Sequence, residues 1–523
     1  MSEVLRTYAR PNSRRSWGSG RPRRHWWLFP LVIVLALVWM TWVTRDTHPL
    51  GRLIPADQAY QVYVGELLKQ RTVIAQSQIW QVLPAESPLA GIPEQLLDNF
   101  GAPEWVTNNV IHGLCHVSGT DLNGFSDALF VTHMTRIGCF VERFHRFIPG
   151  IADDEAGGLD LRWLPEPNVF YAVRGRVLAV SRSRTALIHA LTLTEEDALG
   201  QEALEQGAQE SGGAEIAGSF IPRGGDPLGD VFESVRVAVH VEPTALRCSC
   251  RGALKPLWRH RLAGLLEGTG PKELKMPPDG LLVLSADFGK TLPQFWSGFA
   301  QALQQETLLQ HTFAFPAGQD RPHEIARSLL TALGTGWRLS WKGVDLNAML
   351  PMPEVVATFD ADTTILQTLF ALMPPPAGDL SEYELTPRYD ADKGIAYLPL
   401  IGGPSIEPTG ALYGGDFLFS SSRTVTEALI AQPGKAETVA EPGNLYVRLH
   451  PYPSLRLAVD TGLEFAAFGA LRGYTAQSLE AAAAPWLSVA SKVHQVTALA
   501  GHQDGEIDLD LRLIVAASAP DAA

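Results

Sequence analysis

Gly119-Thr120-Asp121-Leu122-Asn123 recurs in the second half of the chain as Gly343-Val344-Asp345-Leu346-Asn347, at an offset of 224 residues. Ile54-Pro55-Ala56-Asp57 recurs in the same order as Met276-Pro277-Pro278-Asp279, at an offset of 222. Each match is short, but two matches in one order at nearly one offset predict a duplicated module. Each half of the chain therefore provides a test of the motifs found in the other.

The residues that follow these repeats predict the fold class. A strand-like run follows the Pro-containing motif at Ala59–Val64 and at Leu281–Ser285, and helix-like periodicity follows over Glu66–Val82 and Leu292–Gln304. Asp504-Gly505 separates two further strand-like runs, which is a hairpin signal. We predict an α+β fold with one N-terminal transmembrane helix and then two similar, mostly antiparallel sheet-plus-helix halves.

Two weaker echoes extend the repeat. Gly175–Ser181 resembles Gly415–Ser421 at an offset of 240, and Val239–Pro243 resembles Leu449–Pro453 at an offset of 210. The fall in offset predicts an insertion in the first half, which we assign to residues 193–230 because that segment is acidic and rich in glycine. We expect this insertion to be a surface loop.

The uncharged run Trp26–Val43 has 18 residues and would span about 27 Å as a helix. Residues 1–25 contain seven Arg and one Glu, which predicts that the N-terminus is cytoplasmic. We therefore predict a single-pass protein of the cell inner membrane whose body is periplasmic or extracellular. A cleaved signal peptide is the alternative, although Thr41-Trp42-Val43 lacks the small residues of a cleavage site.

The predicted organisation begins with a basic tail and ends with a disordered one. It comprises a cytoplasmic tail 1–25, a transmembrane helix 26–43, a linker 44–53, a first repeat 54–275, a second repeat 276–515 and a disordered tail 516–523. The formal net charge of −14 argues against nucleic acid as a partner, because a phosphate backbone requires clustered Lys and Arg. The expected partners are the lipid bilayer, through the N-terminal helix, and an envelope protein.

Histidines and cysteines cluster in the first repeat. His112, Cys115, His116 and His133 are candidate ligands for zinc or copper, because imidazole and thiolate are ligands that both metals accept. Cys115 and Cys139 are candidates for a disulfide in an oxidising compartment, with buried free thiols as the alternative.

The second repeat does not share this cluster. At the expected offset it has Leu339, Ser340 and Phe359 in place of the first cysteine and two of the histidines. The repeated fold therefore does not depend on a metal ion here, and we predict no bound cofactor, no metal and no catalytic residue.

The run VVATFDADTT at residues 355–364 is similar to the first motif of haloacid-dehalogenase-type phosphotransferases, Asp-x-Asp-x-Thr. That resemblance implies a nucleophilic Asp, a second Asp as acid and base, and a magnesium ion. The first repeat has Met134 and Arg136 at the expected equivalent positions. We therefore interpret the run as a strand that leads into a helix, with Asp362 or Thr363 as the N-cap.

The chain resembles uncharacterised bacterial single-pass envelope proteins, in which an apolar-Pro-x-Asp strand opens a repeated strand–helix module. The resemblance covers residues 50–515 and implies a location and a fold style. We predict a membrane-anchored extracytoplasmic binding or scaffold protein of the cell envelope that is not an enzyme. Two alternatives stay open: an envelope hydrolase or metal-dependent enzyme that uses His112, Cys115 and His116, and a carrier of a lipid or apolar ligand.

Overall fold

The structure, a computed structural model, describes most of the chain. The described residues are 28–43, 48–65, 76–78, 111–121, 125–148, 150–156, 158–166, 168–210, 214–222, 227–266, 269–302, 328–346, 352–376, 386–401, 403–431, 437–467, 469, 471, 473 and 475–515. The two predicted tails and most of the predicted helix Glu66–Val82 lie outside this set.

Twenty strands join in one antiparallel sheet. They are β1 Tyr60–Val64, β2 Ile111–Gly119, β3 Leu129–Met134, β4 Ala152–Ala156, β5 Leu159–Leu164, β6 Val169–Arg174, β7 Val177–Ser181, β8 Ile216–Phe220, β9 Phe232–Val241, β10 Ala245–Leu254, β11 Leu282–Asp287, β12 Leu333–Asp345, β13 Met352–Ala361, β14 Arg388–Asp390, β15 Ile395–Tyr397, β16 Thr409–Tyr413, β17 Asp416–Ser420, β18 Leu445–Leu449, β19 Val493–Gln503 and β20 Glu506–Val515. Within the described residues their pairing gives the order β4-β5-β6-β7-β3-β2-β1-β8-β9-β10-β20-β19-β18-β11-β12-β13-β17-β16-β15-β14.

The strand order is the same when it is read inwards from either edge. Adding ten to the number of a strand in the first half gives its equivalent in the second half, so that β4 corresponds to β14 at the opposite edge. The last pair of equivalents, β10 and β20, meet in the centre. Within this central pair Ser249 lies directly opposite Asp510. The pairing joins the two halves because the backbone N–H and C=O groups of two strands that would otherwise be sheet edges bond to each other.

Most helices lie in the connections between strands. They are α1 Leu28–Val43, α2 Arg136–Glu142, α3 Arg184–Thr192, α4 Gln201–Glu210, α5 Pro227–Val231, α6 Pro256–Leu266, α7 Leu292–Ala302, α8 Thr363–Ala371, α9 Arg423–Ala431, α10 Pro451–Ala467 and α11 Ala476–Lys492, with 3₁₀ helices at Leu50–Leu53 and His145–Phe147. Asp362 is the N-cap of α8, because its carboxylate accepts hydrogen bonds from the N–H groups of Thr364 and Ile365. It is one of the two residues that the sequence predicted for this position.

The predicted fold class is wrong. It placed a transmembrane helix before two similar sheet-plus-helix halves, whereas the described strands form one large antiparallel sheet that is continuous through the β10–β20 pair. The helix in the predicted membrane segment, α1, has 16 residues. Among the described residues, no helix combines the length and the apolar character that crossing a membrane requires.

The two larger hydrophobic clusters of the described residues lie on opposite faces of the sheet. In the first half α3, α4 and the 3₁₀ helix Leu50–Leu53 pack on strand residues such as Val131. In the second half α8 packs on Phe359 and Phe417. Strand register places Thr358, and not Phe359, in the cross-strand row that contains Val131. Because successive residues of a strand point to opposite faces, the two cores lie on opposite sides.

The segment predicted to be a loop insertion contains regular structure. Within residues 193–230 the chain forms α4 and then β8, which pairs with both β1 and β9. The loop prediction is therefore wrong for these residues, and the physical reason is Leu204, which is buried in the first core. The predicted linker 44–53 is also partly structural, because Leu50 and Leu53 are buried in the same core.

Gly51→Ala is expected to lower the free energy of unfolding by about 1–3 kcal/mol. A Cβ on Gly51 would lie 2.5 Å from the backbone carbon and oxygen of Gly200, directly before α4. Backbone atoms cannot rotate away, so relief requires α4 to shift from the sheet. Gly65→Ala is the matched control, because a Cβ there meets nothing within 4 Å. Urea denaturation measures both variants, and a loss at Gly51 no larger than at Gly65 would contradict this contact.

Candidate functional site

The described helices leave the middle of one sheet face open, and this region forms a cleft of about 600 Å³. We call it the central cleft and define it by six floor residues: Arg236, Ser249, Arg251, Leu499, Asp508 and Asp510. One wall is α4, at Gly207, and the other is formed by Pro271 and residues 441–442. The cleft therefore lies where the two halves of the sheet meet.

Small side chains create the hollow. Strand register aligns a row across six neighbouring strands: Tyr63, Ala217, Ala238, Ser249, Asp510 and Leu499. Ala217, Ala238 and Ser249 are short, whereas Tyr63 and Leu499 at the two ends are long. The depth of the cleft therefore comes from three small residues on three adjacent strands.

The next row on the same face carries charge. It runs Ser219, Arg236, Arg251, Asp508 and Gly501. Arg251 Nε lies 2.5 Å from Asp508 Oδ1. Arg236 lies directly opposite Arg251 in the β9–β10 pair, and like charges at directly opposed strand positions are destabilising. The row thus places two cationic side chains beside one carboxylate.

A second arginine–aspartate contact follows at the rim. Arg247 Nε donates to Asp510 Oδ2 at 2.7 Å, and its guanidinium lies 3.4 Å from Glu441. The hydrogen bond to Asp510 raises the pKa of Arg247, and the hydrogen bond to Asp508 raises the pKa of Arg251. Both guanidinium groups therefore stay charged and act as fixed hydrogen-bond donors, since arginine has no acceptor.

The predicted metal-ligand residues do not converge. His112 is exposed and lies opposite His133 in the β2–β3 pair. Cys115 and His116 are neighbours on β2 and point to opposite faces. Cys115 Sγ lies 3.3 Å from a threonine hydroxyl, while the His116 ring packs on Tyr63 at 5.0 Å between centroids. In the part of the chain that the structure describes, no group of three or more His, Cys, Asp or Glu could hold a metal ion.

None of the four cysteines forms a disulfide in the structure. Cys115 contacts Thr132, whereas Cys139 Sγ lies 3.8 Å from the carbonyl oxygen of Gly175. The disulfide suggested between Cys115 and Cys139 is therefore not formed here. Cys248 and Cys250 on β10 are also unbridged, with their sulfurs 3.8 Å apart.

Outside the cleft, one buried polar position differs between the halves. Strand register makes Arg338 on β12 the equivalent of His116 on β2. His116 pairs with Val131 of β3, and Arg338 pairs with Thr358, the equivalent residue of β13. Arg338 is hydrogen-bonded to Asp360 at 2.6 Å and lies 3.2 Å from Asp416. Lys275 contacts the same two carboxylates at 3.1 and 3.2 Å. The second half thus has a four-residue ion cluster around a buried arginine at the place where the first half buries the imidazole of His116.

The cleft residues were not identified from the sequence, although part of the signal was present. Arg247-Cys-Ser-Cys-Arg251 and Asp508-Leu-Asp510 alternate charged and apolar residues, which places the charges on one face of each strand. The pairing of the two strands was not visible, because Arg251 and Asp508 are 257 residues apart. In the sequence, the charged residues of β10 and of β20 are typical of two separate solvent-exposed strand faces. The pairing of β10 with β20 places them in one site.

Comparison with known proteins gives little information. No family model matches the chain, and no curated protein matches it. Structural comparison finds crystal structures of TP0453. Crystal form IV has 9% identity and a TM-score of 0.24, with 43% of this chain and 88% of that chain covered. Crystal form I has 10% identity and a TM-score of 0.25, with 40% and 81% covered. TM-scores this low carry no inference about function.

Proposed function

We propose that this protein is a non-enzymatic binding or scaffold protein of the bacterial cell envelope, and that its partner binds in the central cleft. The observation that carries the proposal is the charged floor, Arg236, Arg251, Asp508 and Asp510, in the part of the sheet that the described helices leave open. Pockets with a few convergent polar groups are the usual location of ligand sites. The resemblance to envelope proteins in residues 50–515 supports the location.

The chemistry of the floor favours a partner that carries both signs of charge. A carboxylate of the partner would accept hydrogen bonds from guanidinium groups of the floor, where Arg236 and Arg251 lie directly opposite each other. A cationic group would meet Asp508 and Asp510. We therefore propose an extended polypeptide segment of an envelope protein as the ligand, since a polypeptide readily offers both. Charged groups across the floor disfavour an apolar cargo, because they would lose hydration without replacement.

The same contacts support binding rather than catalysis. Asp508 and Asp510 each accept a hydrogen bond from a guanidinium group. A carboxylate that already accepts a hydrogen bond from arginine has less capacity left to accept a proton from a substrate. The cleft therefore offers fixed charges for recognition.

Photocrosslinking in intact bacteria tests this function. With p-benzoylphenylalanine in place of Leu499 on the cleft floor, we expect one discrete protein adduct. Combining that change with Arg251→Gln and Asp510→Asn should reduce the adduct about tenfold, because two charge contacts are lost. The same photoreactive residue in place of Leu372, which is exposed just after α8, is the control. An adduct equal at both positions, or none at Leu499, would refute the cleft as the binding site.

A further inference from the structure

Residues 136–148, which form α2 and the following 3₁₀ helix, present a second surface feature far from the charged cleft floor in sequence. Their exposed large apolar side chains, together called the α2 patch, are Ile137, Val141, Phe144, Phe147 and Ile148. Phe147 is 84% exposed. Single exposed apolar residues are ordinary, but five in thirteen residues form a contiguous surface of the kind that marks an interaction site.

Positive charge is interleaved with the α2 patch. Arg136, Arg143 and Arg146 are exposed in the same thirteen residues. Glu142 is the one acidic residue of this fully described segment, and it is turned inwards, where its carboxylate lies 3.7 Å from Arg162 Nε. The outward face of the segment therefore combines apolar side chains with arginines and no carboxylate.

Asp153, an acid outside the segment, contacts two residues of it. Its carboxylate contacts His145 Nε2 at 2.8 Å and Arg146 Nε at 3.2 Å. The hydrogen bond with His145 is the main cause of its lowered pKa, with smaller contributions from Arg146 and Arg162. Asp153 thus offsets part of the charge of Arg146, and Arg136 lies exposed at the start of the same segment.

The α2 patch continues onto α1. The indole of Trp39 contacts Phe140 of α2 edge to face, with centroids 6.0 Å apart, and Phe140 contacts Phe144 at 5.2 Å. The α1 sequence LFPLVIVLALVWMTWV has no charged residue, and its side chains from Leu31 to Leu35 are exposed. The apolar surface is therefore larger than the α2 segment alone.

We propose that the α2 patch docks on the surface of a lipid bilayer that contains anionic lipids, a role beyond the ligand binding proposed for the central cleft. Aromatic and aliphatic side chains enter the boundary between headgroups and acyl chains, while arginines attract anionic headgroups. Apolar side chains and arginines alternate within these thirteen residues, and the one acid among them, Glu142, is turned inwards. This combination fits the surface of an anionic bilayer.

The second half of the protein contains an internal control. α8 occupies the place of α2 after the equivalent strand, and the chain there exposes Ile365 and Leu372. Thr363–Ala371 contains no arginine or lysine. A general affinity for any exposed apolar helix would therefore act on both segments, whereas docking on an anionic bilayer acts on α2.

Hydrogen exchange of the full chain tests the docking. We expect amides of residues 136–148 to exchange at least fivefold more slowly with vesicles of phosphatidylethanolamine and phosphatidylglycerol at 3:1 than with phosphatidylcholine vesicles, because about two arginines contribute. Amides of residues 363–372 should not change. Because the readout is local, contacts made by α1 alone do not produce this result.

Two variants separate the apolar and charged contributions. Phe147→Ser should weaken vesicle partitioning about tenfold, and Arg136→Gln about fivefold in phosphatidylglycerol vesicles alone. Leu372→Ser is the matched control and should have no effect. The proposal is overturned if residues 136–148 show no protection in bound protein, if residues 363–372 are protected equally, or if Phe147→Ser and Leu372→Ser behave alike. Far-UV circular dichroism verifies that each variant is folded.

Discussion

Replacing Arg338 by Met is expected to lower the free energy of unfolding by about 3–5 kcal/mol. The Arg338 side chain is only 3% exposed and contacts both Asp360 and Asp416. Its loss leaves two neighbouring carboxylates with Lys275 as their remaining cation in the cluster. Burial lowers the pKa of Lys275, but hydrogen bonds to both aspartates outweigh burial and raise it. One ammonium group cannot replace the two directed contacts of a guanidinium.

Urea denaturation at pH 7, followed by far-UV circular dichroism, measures this effect. Arg456→Met is the matched control: its ion pair with Asp460 lies on the exposed surface of α10, where such a pair contributes less than about 1 kcal/mol. Adding Asp360→Asn and Asp416→Asn to Arg338→Met should recover part of the loss, because no unpaired carboxylate then stays in the cluster. Equal losses for the two arginine variants would show that the cluster is not a buried network.

Local hydrogen bonds leave a signal in the sequence, although the echo at an offset of 240 aligned Ser181 with Ser421 and the equivalent residue in the structure is Ser420. Residues 181–185, SRSRT, and 420–424, SSSRT, each join a strand to a helix. Ser183 N donates to Ser181 Oγ at 3.0 Å, and Ser422 N donates to Ser420 Oγ at 3.2 Å. Side chains of this type bond to backbone within two or three residues, so a five-residue match is sufficient to predict the junction.

Strand register could not be predicted in the same way. Ser118 and Ser340 occupy equivalent places because they pair with Leu129 and Val356, which in turn pair with equivalent residues of β7 and β17. The turn motif in the second half comes two residues later, after a register shift in β12. A β-bulge of this kind inserts an extra residue into one strand, and the sequence carries no evident signal for it. The offset of 224 therefore matched His116 with Ser340, whereas the sheet matches it with Arg338.

Long-range pairing was the larger gap. The echo between Val239–Pro243 and Leu449–Pro453 was misleading, since the strand equivalent to β9 is β19 and the strand equivalent to β18 is β8. Local patterns specify which residues form strands and which face is apolar. They do not specify which two strands meet after hundreds of residues, and the central cleft depends on one such pair, β10 with β20.

Acidification from pH 7 to pH 5 is expected to cost about 2 kcal/mol of stability through His116 alone. Its side chain is fully buried, and burial lowers its pKa to about 3 from the usual 6.5. Below pH 6.5 the unfolded chain binds a proton that the folded protein does not bind until about pH 3. The unfolded state therefore holds more protons in this interval, and stability falls as pH falls. Urea denaturation at pH 7, 6 and 5 measures the slope.

His116→Leu should remove this slope, whereas His260→Leu, on the exposed side of α6, should leave it unchanged. The carboxylates whose pKa is lowered, such as Asp127, lose their contribution below their unfolded pKa of about 4. Burial raises the pKa of Glu407, and comparing the parent with His116→Leu cancels that contribution, which both proteins share. Neither ring nitrogen of His116 has a hydrogen-bond partner among the described residues. Leucine avoids that unsatisfied polarity, and the variant should be at least as stable as the parent at pH 7. An unchanged slope in His116→Leu would mean that His116 is reached by water or a partner in solution.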